Sequence, residues 1–115
     1  NIYNMGARSF WIHNTGPIGC LPLILANFPS AERDSYECAK AYNEVAQSFN
    51  HNLMEALSQL RTELPLAAIT YVDIYSAKYL LFKYPKKYGE PNNDPIILLS
   101  HFCNLLLVSR RDSNP

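Results

Sequence analysis

Several signatures that would assign a chemistry at sight are missing from this 115-residue chain. There is no Gly-x-Ser-x-Gly nucleophile elbow, no Gly-x-Gly-x-x-Gly and no P-loop, so neither that type of serine turn nor nucleotide binding has support. No Cys-x-x-Cys occurs, and the three cysteines, Cys20, Cys38 and Cys103, stand at unrelated spacings that speak against a zinc site. An Asn-x-Ser/Thr acceptor is absent. Charge of one sign is absent too: ten Lys and Arg balance ten Asp and Glu. A neutral chain lacks the clustered positive excess that nucleic acid or an anionic membrane surface needs, so no nucleic-acid partner is expected. The longest mostly apolar run, residues 96–108, is short of the ~17–25 residues that span a bilayer, so no transmembrane segment is expected. Nothing points to a metal or an organic cofactor.

What is present is enough for one small domain, with 48% hydrophobic and 17% charged residues. Arg8–His13, rich in aromatic and β-branched side chains and followed by Gly16-Pro17, reads as a short strand. Ile2, Tyr3 and Met5 read as the end of a preceding helix, with Gly6 as its left-handed stop. Asn14–Pro22 holds two of the four glycines and two of the eight prolines, the composition of an ordered loop at the strand's carboxyl end. From Ser35 to Leu64, Cys38, Tyr42, Val45, Phe49, Leu53, Leu57, Leu60 and Leu64 recur at steps of three or four, which predicts one long helix. Asp34 or Ser35 is the expected cap and Pro65 the expected stop. Ala67–Asp73 is a nearly continuous apolar strand of the kind buried in a parallel sheet, and Ile74–Tyr84 is a second helix. Strand, long helix, strand, helix is a βαβα unit, which implies a right-handed crossover and an α/β layered fold.

Candidate functional residues are few. His13, Asn14 and Thr15 stand at the carboxyl end of a strand, where open α/β sheets place ligands; they either line a pocket or satisfy the backbone of the loop that follows. Asp73 ends the other strand and is expected to cap the helix at Ile74. His51 reads as a solvated helix residue. Lys78, Lys83, Lys86 and Lys87, interleaved with Tyr79, Tyr84 and Tyr88, read as a solvated face. Cys20 and Cys38 either close a loop, as an oxidising compartment would allow, or are two separately buried thiols.

The run Gly6-Ala-Arg-Ser-Phe-Trp-Ile-His-Asn-Thr-Gly-Pro-Ile-Gly-Cys-Leu-Pro22 resembles the central segment of the plant GDSL esterase/lipases of the SGNH hydrolase superfamily. Its Trp-Ile-His-Asn-Thr-Gly-Pro form is most like the branch containing early nodulin-type esterases and proteins named α-L-fucosidase. Cys38, Tyr42-Asn43, Phe49-Asn50, Tyr71-Val-Asp-Ile-Tyr75 and Lys86-Lys-Tyr-Gly89 extend the resemblance to about residue 89. It implies a secreted, flavodoxin-like three-layer α/β/α hydrolase with a parallel sheet, acting on an ester or acylated small-molecule or lipid substrate. It also implies a serine from a Gly-Asp-Ser block, an asparagine from a Gly-x-Asn-Asp block and an Asp-x-x-His pair.

None of those blocks is present in these residues. Arg111-Asp112-Ser113 lacks the glycine, Asn93-Asp94 has Pro91 where glycine is required, and Phe10, Ser48 and Leu98 precede the three histidines by three positions. No catalytic residue therefore carries over. His13, Asn14 and Thr15 would stand at the rim of the substrate pocket, and Cys20 with Cys38 would form a disulfide. The expected organisation is a partial hydrolase domain over residues 1–89 and a divergent apolar tail over 90–115. The start at Asn1 and the loss of similarity after Gly89 read as an interior slice of a longer gene, inactive alone, or else as a non-catalytic remnant that serves as an interaction module.

Overall fold

The computed structural model describes residues 1–88, so the expectations for the tail, with His101 and Cys103, lie outside the described residues. A turn opens the chain: the Met5 N–H donates to the Ile2 carbonyl and the Gly6 N–H to that of Tyr3. Gly6 sits at φ +103°, in the region that glycine enters without steric cost, but residues 2–6 form a turn rather than the last turn of a helix. Strand β1 (Ser9–His13) follows, then a 3-10 turn (Ile18–Cys20) and a short helix α1 (Pro22–Asn27). Next come the long helix α2 (Lys40–Glu63), strand β2 (Ala68–Val72), helix α3 (Ile74–Lys83) and a final turn of helix, α4 (Pro85–Tyr88).

The two strands pair in parallel from Ser9↔Ala68 to His13↔Val72, with α2 as the crossover between them. This is a partial α/β unit of the predicted βαβα order. Phe10, Ile12, Ile69 and Tyr71 are half-buried, while Ser9, Trp11, His13 and Thr70 are exposed, the alternation that a pleated strand imposes. Trp11 retains 75% of its surface in solvent. On the outer edge of β2 the Arg61 guanidinium donates twice to the Ile69 carbonyl, at 3.2 and 3.0 Å.

The long helix departs from expectation at its start and on its face. It begins at Lys40 rather than Ser35 and spans about 36 Å at ~1.5 Å per residue. The reason lies in Asp34, whose carboxylate accepts the N–H groups of Tyr36 (2.8 Å) and Cys38 (3.0 Å) and turns residues 34–38 into a local loop. Glu37 takes φ +64° within it, and Arg33 bridges Ala39 across its base. Ala39 is the N-cap and makes no side-chain cap bond, so neither Asp34 nor Ser35 plays that part. Pro65 ends the helix where predicted, with Leu64 as C-cap.

The buried face is Asn43, Ala46, Asn50 and Leu57. Val45 and Phe49, counted in the apolar stripe, are 64% and 56% exposed. The helix turns short polar side chains inward because the loop after β1 packs against it, and a loop's backbone needs hydrogen-bond partners that leucine cannot offer.

Candidate functional site

The carboxyl ends of β1 and β2 are tied together by Asn14, which is buried. Its amide nitrogen donates to the Tyr71 hydroxyl and to Asp73 Oδ1, both at 2.9 Å, and its oxygen accepts the Tyr75 N–H at 2.9 Å. Its backbone N–H extends the sheet by donating to the Val72 carbonyl. One side chain thus fixes where β1 ends, where β2 ends and how α3 departs. Asp73 is the N-cap of α3 and accepts the Ser76 N–H at 3.0 Å. Burial pushes the Asp73 carboxyl up, but hydrogen bonds from Ser76 and Asn14 outweigh it and hold the group below its ordinary value.

Two asparagines of α2 hold the loop that follows. Asn50 makes a paired contact with Thr15, accepting its N–H at 2.8 Å and donating to its carbonyl at 2.9 Å. Two turns earlier, Asn43 accepts the Gly19 N–H at 2.8 Å and donates to Cys20 Sγ at 3.6 Å. Gly19 is required by closeness: a Cβ there would run into the Ala39 carbonyl and stand 2.8 Å from Asn43 Oδ1. Cys20 and Cys38 form a disulfide with Cα atoms 4.4 Å apart, closing a loop that carries α1 and fastening it to the start of α2.

The far side of that loop is clamped to α3. The Tyr79 hydroxyl donates to Asp34 Oδ2 at 2.6 Å, Tyr36 meets the Tyr79 ring edge-on, and Tyr79 stacks on Tyr75, whose hydroxyl accepts from Gln47. Burial and the neighbouring Asp34 carboxylate push the Tyr79 phenol well above its ordinary value. Asp34 moves the other way: burial raises it, and hydrogen bonds from Tyr79, Tyr36 and Cys38 more than offset that.

Between the loop after β1 and α3 lies a cavity of about 220 Å3. Thr15, Gly16, Pro17 and Ile18 form its loop wall, Lys78 and Phe82 its helix wall, and Leu21 closes one end. Of the three residues expected at a pocket rim, Thr15 lines this cavity, Asn14 is an interior hub and His13 is exposed at the end of β1. His51 is exposed on α2, 3.4 Å from Glu55. Asp73 is the α3 cap. Lys78, assigned to a solvated lysine face, is instead half-buried against Gly16. Its spacing from Phe82, four positions on the same helix face, is the signal that could have found it.

No group of three His, Cys, Asp or Glu among the described residues could hold a metal ion, and no helix there is long and apolar enough to cross a membrane.

Comparison with known proteins identifies the context of this site. Residues 1–94 match the family model of the GDSL-like Lipase/Acylhydrolase. The chain is 71% identical over 89 residues to GDSL esterase/lipase ENOD8 of Medicago truncatula, covering 77% of this chain and 23% of that protein. It is 67% identical over 88 residues to an esterase of Hevea brasiliensis, covering 76% and 22%. It is 50% identical over 91 residues to Alpha-L-fucosidase 3 of Arabidopsis thaliana, covering 77% and 24%. The chain spans about a quarter of the length of these relatives. No solved structure matches it. The chain belongs to the GDSL-like lipase/acylhydrolase family.

Proposed function

We propose that residues 1–88 supply one flank of a GDSL-type ester hydrolase, acting on carboxylic ester bonds of small-molecule or lipid substrates, and that the 115-residue chain is catalytically silent alone. The observation that carries this reading is the cavity at the carboxyl ends of two parallel strands, built from the loop that bears the family-like Asn14-Thr-Gly-Pro run. In such a hydrolase a serine attacks the acyl carbon, a histidine takes its proton and preorganised donors hold the oxyanion. The chain has no Gly-Asp-Ser, Gly-x-Asn-Asp or Asp-x-x-His block to perform those steps. Its own residues do the positioning: Asn14 fixes both strand ends, Asn50 and Asn43 hold the loop, and Thr15 faces the cavity.

The exposed Trp11 face supports the partial-domain reading, since a parallel sheet is ordinarily covered on both faces. Residues 90–115 are read as a divergent tail on the sequence pattern. The Cys20–Cys38 disulfide favours a secreted protein, because such bonds persist in oxidising compartments.

The test is turnover of a short-chain p-nitrophenyl ester by the purified 115-residue chain. The expected rate equals that of a mock preparation. Turnover abolished by a serine-directed inhibitor would overturn the reading that the catalytic set lies elsewhere.

A further inference from the structure

We propose that the cavity between the loop after β1 and α3 is a chain-length gauge: it takes a short uncharged alkyl chain, gives a longer one no further hold, and has Leu21 as the residue that sets the limit. That the chain belongs to an ester rests on the ester-hydrolase reading. The gauge follows from its walls.

Much of the loop wall's hydrogen-bonding capacity is already engaged. Both backbone polar groups of Thr15 are paired with Asn50. Pro17 has no N–H, and its carbonyl accepts the Cys20 N–H at 3.0 Å, while the Ile18 carbonyl accepts the Leu21 N–H at 3.2 Å. No acidic residue lines the space, and Pro17, Ile18, Leu21 and Phe82 supply its apolar surface. Lys78 enters as an aliphatic stem, its Cδ 3.1 Å from where a Cβ on Gly16 would stand, and nothing is asked of its ammonium. Such a lining favours hydrocarbon and repays a polar ligand poorly for the water it gives up.

The wall is also fixed before any ligand arrives. Asn50 holds Thr15, Asn43 holds Gly19, and the Cys20–Cys38 disulfide anchors the residue before Leu21, so little ordering cost falls on binding. A fixed wall makes size selective. An apolar cavity of about 150 Å3 admits benzene. One of about 220 Å3 suits a chain of roughly six to eight carbons. Leu21 is both the C-cap of the 3-10 turn and the N-cap of α1, so its backbone has no freedom to withdraw for a longer chain.

The test is titration of the 15N-labelled 115-residue chain with 1-alkanols from butanol to decanol and with methyl n-alkyl ketones of the same lengths. The alkanols stand for the alcohol arm of an ester and the ketones for its acyl arm, and the tighter series identifies the arm. The expected result is saturable shifts at the Thr15, Gly16 and Ile18 amides. Affinity should rise about fourfold per added methylene and level off at roughly eight carbons. Leu21→Ala should move that levelling point outward by about one to two carbons, and Phe82→Ala should weaken hexanol about tenfold. Lys78→Met, which keeps an apolar stem, should change hexanol binding by less than about threefold. Native shifts of the Asn14 and Tyr75 amides confirm that each variant is folded. Affinity that climbs through decanol, a levelling point unmoved by Leu21→Ala, or shifts centred on Trp11 and Thr70 would overturn the proposal. Ester turnover is not the readout, so absence of binding leaves the hydrolase reading standing, and a failed hydrolase reading leaves the binding result standing.

Discussion

Between Asn14 and Cys20 the contacts that define the chain's path are polar or covalent, whereas on the Trp11 face of the sheet and along Val45 and Phe49 of α2 apolar side chains stand in solvent. The first region is organised by side chains that each satisfy several groups at once, with Asn14 serving three partners and Asn50 both polar groups of Thr15. The second has apolar surface in excess of what the described residues cover. The difference teaches that the site's loop is specified by directional bonds, while the outer faces carry apolar side chains that no described residue covers. Variants should therefore be costly in one region and nearly silent in the other.

The largest effect is expected at the disulfide. Its loop closes over a sequence separation of 18, for which the chain-entropy account gives about 3 kcal/mol. Urea titration of the Cys20→Ser/Cys38→Ser variant should show a loss of that order, and amide exchange at Gly19 should accelerate as its bond to Asn43 opens. A midpoint unchanged by reduction would mean that the asparagine contacts alone hold the loop.

Next comes Asn14→Ala. It strands the buried Tyr75 N–H and removes a donor from Asp73, at a cost of about 2–3 kcal/mol. Urea titration measures it, and a loss below about 0.5 kcal/mol would place the organising centre elsewhere.

A smaller effect is expected from acid. The Asp34 and Asp73 carboxyls sit below the ordinary value of 3.8, because their hydrogen bonds outweigh burial. A carboxyl with a folded pKa below its unfolded one contributes stability above the unfolded value and loses it as pH falls through the folded value. The urea midpoint should be level from about pH 5 to 7 and fall below about pH 4. The fall should be shallower in an Asp34→Asn/Asp73→Asn variant than in the parent chain. An equally steep fall in both would assign the acid sensitivity to other groups.

The smallest effect closes the contrast. Trp11→Thr in the 115-residue chain should change stability by no more than about 0.5 kcal/mol, the range of exposed substitutions. As the only tryptophan, Trp11 should also emit at the long wavelengths of a solvated indole. A loss of about 2 kcal/mol, or blue-shifted emission, would show the face to be packed and dissolve the distinction between the regions.

The order of elements was legible because its punctuation is strong: Pro65 stops α2, Gly16-Pro17 follows the first strand, and Asp73 caps α3. The inward face of α2 was misread because periodicity weighs apolarity alone. Asn43 and Asn50, seven residues apart on that helix, are buried by the needs of a loop distant in sequence. The delayed start of α2 was hidden for a similar reason, since Asp34 can cap a helix or fold a turn and its link to Tyr79 lies 45 residues away. At the site, the strand-end position was readable from the fold class, whereas the pairing of Gly16 with Lys78 depends on how α3 crosses the loop, which local pattern does not encode.

The Arg61 guanidinium on the Ile69 carbonyl gives the sheet a direction of growth. A strand pairing along the outer edge of β2 would have to expel a cation from a carbonyl it needs for itself, while no such guard among the described residues stands on the outer edge of β1. Pairing with a further strand, whether from the same polypeptide or from a second molecule, is therefore expected on the β1 side rather than on the guarded edge of β2.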